Sequence, residues 1–190
     1  MSKATGITDV PTLRKQARQH LDDGPVTAGY TADREMVITL LNHALATELV
    51  CVLRYRRHHF MARGIHSQSV AQEFLDHSNE EQGHADLIAE RIVQLGGEPD
   101  FAPDGLTRRS HAEYVAGTTL ASMIREDLVA ERIAIDSYRD LIRFLGDEDS
   151  TTRRMLEGIL AVEEEHADEL ADLLVAFPDE SNAKKSAAKK

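Results

Sequence analysis

Residues 81–86 read Glu81-Gln82-Gly83-His84-Ala85-Asp86, and residues 163–168 read Glu163-Glu164-Glu165-His166-Ala167-Asp168. Both are Glu-x-x-His-Ala-Asp. A glutamate and a histidine three positions apart share one helical face, one turn apart. Glu48 stands 33 residues before the first motif and Glu131 stands 32 before the second. Each of these glutamates has a tyrosine seven residues on, Tyr55 and Tyr138. One unit is therefore written twice along the chain, and the two copies imply a pseudo-twofold arrangement.

Proline and glycine mark where the elements around these motifs begin and end. The five prolines are Pro11, Pro25, Pro99, Pro103 and Pro178, leaving 26–98 and 104–177 free of proline. Gly64 splits the first stretch and Gly146 the second, while Gly96-Gly97 with Pro99 ends a helix. The spacing predicts helices over about 33–62, 69–95, 118–145 and 151–176, with Gly117 before the third. Ser69 with Gln72 and Ser110 with Glu113 have capping-box spacing. No β-branched alternation suggests a strand. The short loops make antiparallel neighbours, and a helix of ~27 residues spans ~40 Å, which the long 96–117 connection can cross. The fold class is all-α: a four-helix bundle of two helical hairpins joined by a long crossover. The division is an N-terminal extension at 1–32, with a short helix within 11–23, the bundle at 33–177, and a flexible Lys-rich tail at 178–190.

Apolar stripes at spacings of three and four give the inward faces. They read Leu41, Ala44, Glu48, Cys51, Tyr55 on the first helix and Phe74, His77, Glu81, His84, Ile88 on the second. The third carries Ile124, Glu131, Ala134, Tyr138, Leu141, and the fourth Leu156, Ile159, Glu163, His166, Leu170, Leu173. Every helix thus turns a carboxylate inward, and two add a histidine. Lone buried carboxylates neutralise or find a partner. Arginine and lysine lie mostly off these stripes, so bound metal is the economical partner. Carboxylate oxygen with imidazole nitrogen suits iron, manganese or zinc.

The whole chain, 190 residues with a formal charge of -11, suits one domain with a proper core. Its ends are basic, +1 over 1–32 and +2 over 178–190, which leaves -14 on 33–177. That body argues against nucleic acid as its main ligand and is compatible with cations. Cys51 is the one cysteine, which excludes a disulfide framework and a CxxC metal site. No apolar run approaches the ~20 residues of a membrane span, and residues 1–20 hold no secretory signal. The expected compartment is the cytoplasm.

With these motifs the sequence resembles the ferritin-like di-iron carboxylate proteins over about 40–175. It looks most like bacterioferritin in its site and Dps-like mini-ferritins in its crossover. The resemblance implies two iron ions per subunit. Glu48 and His84 would hold one, Glu131 and His166 the other, and Glu81 and Glu163 would bridge. Tyr55 matches a tyrosine that assists electron transfer. Gln82 stands where bacterioferritins carry a haem-ligating methionine, which argues against haem there. Pro178 stops the chain before a fifth helix, favouring a dodecameric homo-oligomeric cage over a 24-mer. Thioferritins add a cysteine pair, which Cys51 cannot supply alone, and Ile133 stands where a second thiol is expected. The implied function is iron storage and detoxification: a ferroxidase that oxidises Fe(II) with O2 or H2O2 and protects against oxidative stress. The rivals are a non-mineralising di-metal redox enzyme, such as a manganese catalase or a peroxidase, and a DNA-binding protein using Lys184, Lys185, Lys189 and Lys190.

The remaining polar residues read more plainly. Tyr138 and Cys51 are expected in the core, and His77 in the core or at a cavity, with guidance of iron as its functional reading. His58, His59, Glu80 and Glu164 are expected on solvated faces, with a place behind the ligands or lining a cavity as the functional reading of Glu80 and Glu164. Gly83 costs about 1 kcal/mol in a helix interior, and its functional reading is room for a bulky neighbour near the metal.

Overall fold

The computed structural model describes residues 7–63 and 67–177. Among these residues there are helices and turns and no strand. Helix α1 (Val10–Gln16) starts where the Asp9 side chain accepts the Thr12 backbone N–H at 3.0 Å. A 3-10 turn, Leu21–Asp23, follows. The long elements are α2 (Arg34–Met61) and α3 (Ser67–Gln94). A one-turn helix α4 (Leu106–Arg109) lies in the crossover. It leads to α5 (Leu120–Leu145) and α6 (Ser150–Ala176). The long helices begin and end within two residues of the expected positions.

Local chemistry explains those ends. Asp33 caps α2 by accepting the Met36 backbone N–H at 3.1 Å. Asp149 caps α6, accepting from Thr152 at 2.9 Å. The cap of α5 differs from the expected Ser110–Glu113 pair. Thr119 and Ser122 form the reciprocal box instead. Ser110 ends α4 and donates to the Ala112 carbonyl at 2.6 Å. Helix α3 already runs through Ser69, so Ser69 is no cap. Gly117 has φ +61° and divides the crossover from α5; a Cβ there would meet Met123 at 2.9 Å. Gly146, at φ +51°, ends α5. Gly64 and the Lys-rich tail lie outside the described residues.

Helix α2 packs against α3, and α5 against α6, as two antiparallel hairpins. The crossover then runs back along α2. Asn42 meets the Glu98 carbonyl at 3.2 Å and the Asp100 N–H at 2.7 Å. Thr47 accepts from the His111 N–H at 2.9 Å. Further on, Arg54 donates to the Glu113 carbonyl and His58 contacts the Ala116 carbonyl, both at 2.9 Å. Beneath this segment, Asp127 binds Arg54 Nε at 2.7 Å and His58 Nδ1 at 2.7 Å. All three side chains are buried. His58 is therefore not on a solvated face; it anchors the crossover. At the other end, Asp149 holds Arg91 at 3.0 Å and accepts from Tyr30 at 3.0 Å, tying the N-terminal segment to α3 and α6.

The core has two apolar halves. One gathers Leu41, Leu45, Ile88, Ile92, Leu141 and Leu156. The other gathers Cys51, Phe74, Ile124 and Leu170. Glu48, Glu81, Glu131 and Glu163 lie between these halves. Among the described residues, helix α2 alone is long and apolar enough, by length and composition, to cross a membrane, contrary to the expectation. Here it is a packed bundle helix whose buried residues include Glu48, Arg54 and His58.

Candidate metal centre

Each long helix delivers its inward carboxylate to one layer. Glu48, Glu81, Glu131 and Glu163 are each at most 1% exposed, with His84 and His166 beside them. Two donor sets form there: Glu48, Glu81, His84 and Glu163, and then Glu81, Glu131, Glu163 and His166. Within each set the donor atoms lie within 4.8 Å of one another. Glu81 and Glu163 belong to both sets. The two Glu-x-x-His motifs therefore meet across the pseudo-twofold relation that the sequence repeat implied.

Distances within the layer are short. His84 Nδ1 lies 3.0 Å from Glu163 Oε1, 3.3 Å from Glu48 Oε2 and 3.5 Å from Glu81 Oε2. His166 Nδ1 lies 3.6 Å from Glu81 Oε1 and 3.8 Å from Glu163 Oε2. These approaches lack hydrogen-bond geometry. Glu48 Oε2, Glu81 Oε1, Glu131 Oε2, both Glu163 oxygens and the Nδ1 atoms of His84 and His166 are buried without a hydrogen-bond partner. Such atoms cost about 1–3 kcal/mol each, and more when charged. Seven of them converging on one layer fit a cation-binding centre far better than a structural polar network.

Surrounding groups hold the layer in place. Tyr55 donates its hydroxyl hydrogen to Glu131 Oε1, and Tyr138 donates to Glu48 Oε1. Each tyrosine therefore reaches the glutamate of the other hairpin. Tyr138, expected as plain core, is buried but lies against the site, and its signal was the spacing it shares with Tyr55. Glu80 accepts from His166 Nε2 at 2.7 Å, which leaves Nδ1 to face the centre. Glu80 is exposed, as expected of a solvated face, and it also takes the role behind a ligand that was its alternative reading; nothing in the sequence marked which partner it meets. Glu164 is exposed as expected and pairs with Arg139 at 2.6 Å. His77 lies 3.3 Å from the Tyr55 hydroxyl and stacks on His166 at 4.0 Å.

The electrostatics are those of a proton-loaded cluster. Burial, then the Glu81 charge, raises Glu48 and Glu163 well above the usual carboxylate range. The same two causes raise Glu131. Burial opposes ionisation of Glu81 as well, but its partners Glu48, His166 and His84 hold it low. Burial also opposes charge on the histidines. Glu48 and Glu81 overcome it and raise His84 to about 10. Glu81, with Glu131, raises His166 to about 9. Cys51 is buried in the same region, and burial pushes its thiol well up. Gly83 faces open space in the chain, with nothing within 4 Å of a built Cβ. It makes no room for a bulky neighbour.

The family pattern for a ferritin-like domain matches residues 38–179. The chain is 34% identical over 139 residues to a nutrient stress-induced DNA-binding protein of Synechococcus sp., covering 70% of this chain and 78% of that protein. It is 29% identical over 141 residues to the bacterioferritin of Desulfovibrio desulfuricans, covering 73% of this chain and 75% of that protein. The dodecameric thioferritin of Bacteroides fragilis, a bacterioferritin-related protein, superposes with a TM-score of 0.73 at 32% identity. That match covers 81% of this chain and 91% of the other.

Proposed function

This chain belongs to the ferritin family, proteins of iron storage and protection, and we propose that it is a ferroxidase of the mini-ferritin kind. Ferrous iron is its substrate. The observation that carries this reading is the pair of donor sets sharing Glu81 and Glu163.

In this reading Glu48 and His84 hold one Fe(II), Glu131 and His166 hold a second, and Glu81 and Glu163 bridge them. Hard anionic oxygens favour the ferric state. Each iron gives up one electron, and the pair reduces O2 to H2O2 or H2O2 to two waters, taking up two protons. Ligands must lose their protons to bind iron. The raised histidines and carboxyls therefore release protons as iron binds, and the two protons taken up with the oxidant come from water. Glu80 keeps His166 Nδ1 turned to iron, while Tyr55 and Tyr138 keep Glu131 and Glu48 in place. Tyr55 is also placed to assist electron transfer, because its hydroxyl is hydrogen-bonded directly to the ligand Glu131. Ferric product then leaves for a mineral inside a cage of twelve chains. The likeness to a dodecameric thioferritin supports that number.

Loading metal-free protein with Fe(II) under air or peroxide tests the reading. Iron is counted per chain after gel filtration. Iron well above two per chain in a large oligomer, abolished by Glu81→Ala, is the expected result. A stop at two without mineral favours the di-metal redox enzyme.

The DNA-binding reading is supported by the name of the Synechococcus relative. Loss of salt-dependent DNA binding on deleting residues 180–190 is its test.

A further inference from the structure

The two copies of the repeat differ on their outer sides. Aligning Glu81 with Glu163 places Glu73, His77, Glu80 and Glu169 opposite Met155, Ile159, Val162 and Leu87. The first four, with His166, line a cavity of about 330 Å³. The second four, with His84, line a larger one of about 700 Å³. Three acids and a histidine on one side thus become an apolar wall on the other. A cavity of that size and lining is of the kind that holds a small organic ligand.

The chemistry of the larger cavity is one-sided. No carboxylate is among its lining residues, and Arg154 is the one full charge there. Arg154 is exposed at the rim and has no ion pair among the described residues. Its neighbour Arg153 is instead held by Glu157 at 2.8 Å and Asp147 at 3.1 Å. Gly158 also lines the cavity, and a Cβ built there meets nothing within 4 Å. Glycine weakens a helix interior, and no neighbour in the chain requires one at this position. An apolar hollow with a free cation at its mouth is complementary to an amphipathic anion.

The cavity also reaches the centre. His84 is 7% exposed, against at most 1% for the other five candidate ligands. Val162 offers it no acceptor, where Glu80 accepts from His166 Nε2. A molecule seated on Ile159 and Val162 would cover this imidazole.

We propose that this cavity binds a small organic anion, an apolar chain or ring bearing one carboxylate. Its body lies on Leu87, Met155, Ile159 and Val162, and its carboxylate meets Arg154. The occupant closes the His84 side of the centre and slows metal exchange there. That coupling rests on the ferroxidase reading; the cavity site does not.

Octanoate is the probe, with octanol as its uncharged counterpart. Calorimetric titration of the metal-free protein is expected to show one saturable octanoate site per chain. Crystals soaked in ω-bromo-octanoate place bromine, by anomalous scattering, beside Ile159. Arg154→Gln weakens octanoate about fivefold, the scale of an exposed charge pair, and leaves octanol unchanged. Gly158→Leu fills the hollow and abolishes binding of both, with Tm and Co(II) binding retained. No saturable binding, bromine elsewhere, or binding that survives Gly158→Leu overturns the site. Octanoate binding that Arg154→Gln leaves unchanged overturns the choice of an anion. Release of Co(II) to a chelator slows at least about fivefold at saturating octanoate. An unchanged release rate overturns the coupling and leaves the site. Protein that binds octanoate but no Co(II) overturns the ferroxidase reading and leaves the cavity site.

Discussion

The Tyr138 hydroxyl donates to Glu48, a residue of the opposite hairpin. Its counterpart Tyr55 donates to Glu131, so the hairpins are laced through their own candidate ligands. Removing one lace leaves a buried carboxylate oxygen short of a donor. Tyr138→Phe is expected to weaken metal binding about 10-fold, as losing a partner of a ligand commonly does. Calorimetric titration with Co(II) reads that loss. An unchanged affinity would mean that Glu48 needs no support.

The pH dependence of the metal-free protein follows from its raised groups. Glu48, Glu131 and Glu163 are raised from 4.5, and His84 and His166 are raised from 6.5 to about 10 and about 9. The folded protein then holds protons that the unfolded chain has released. The histidine contribution is fully present below pH 6.5 and is lost as pH rises through about 9 to 10. The raised carboxyls act in the same direction from 4.5 upward, whereas the lowered Glu81 matters only below that value. Metal must displace these protons, so its stabilisation grows with pH. Thermal melts with and without Zn(II) at about pH 6.5 and about pH 8.5 should show the metal-induced rise in Tm increasing. A constant rise would contradict the proton-loaded cluster.

Arg54, Asp127 and His58 form the buried anchor under the crossover. Arg54→Ala takes the guanidinium from Asp127, leaving it only His58 within this anchor, and removes the donor to the Glu113 carbonyl. The expected cost is about 3–5 kcal/mol, the usual result of breaking a buried pair from one side. Urea unfolding of the variant measures it. A loss under about 1 kcal/mol, the scale of a surface pair, would show the anchor to be dispensable.

Two glycines separate backbone preference from packing. A Cβ at Gly83 meets nothing within 4 Å, so Gly83→Ala should stabilise the helix by about 1 kcal/mol. A Cβ at Gly97 would lie 2.7 Å from Ile38 Cγ2 and 3.0 Å from Ile92 Cγ2. Gly97→Ala should therefore destabilise by about 1–3 kcal/mol. Paired thermal melts check both signs.

Much of this molecule could be read from period and punctuation. Helix ends follow glycine, proline and capping aspartates, and the carboxylate stripes follow the 3.6-residue period, so Glu48 and Glu163 were predicted to share a layer. What escaped depends on long-range partners. Glu80 differs from Glu164 only in what it faces: His166 in one case, Arg139 at the surface in the other. His58 looks like a surface histidine until the crossover folds over it, and that path is set by contacts 58 to 69 residues distant in sequence. The Ser110–Glu113 spacing matched a capping box by chance, because the crossover consumed those residues as connection. Helix α2 misleads in another way: its composition suits a membrane, and only its place in the bundle shows why.

The most direct test of the central claim is the stoichiometry of the first rapid oxidation. Metal-free protein is loaded anaerobically with increasing Fe(II), then mixed with oxygenated buffer in a stopped-flow instrument. A sharp break in the fast amplitude at about two Fe(II) per chain, absent in Glu81→Ala, is predicted from the shared Glu81 and Glu163. No break, or a break that Glu81→Ala leaves in place, would contradict a paired iron centre built on that residue.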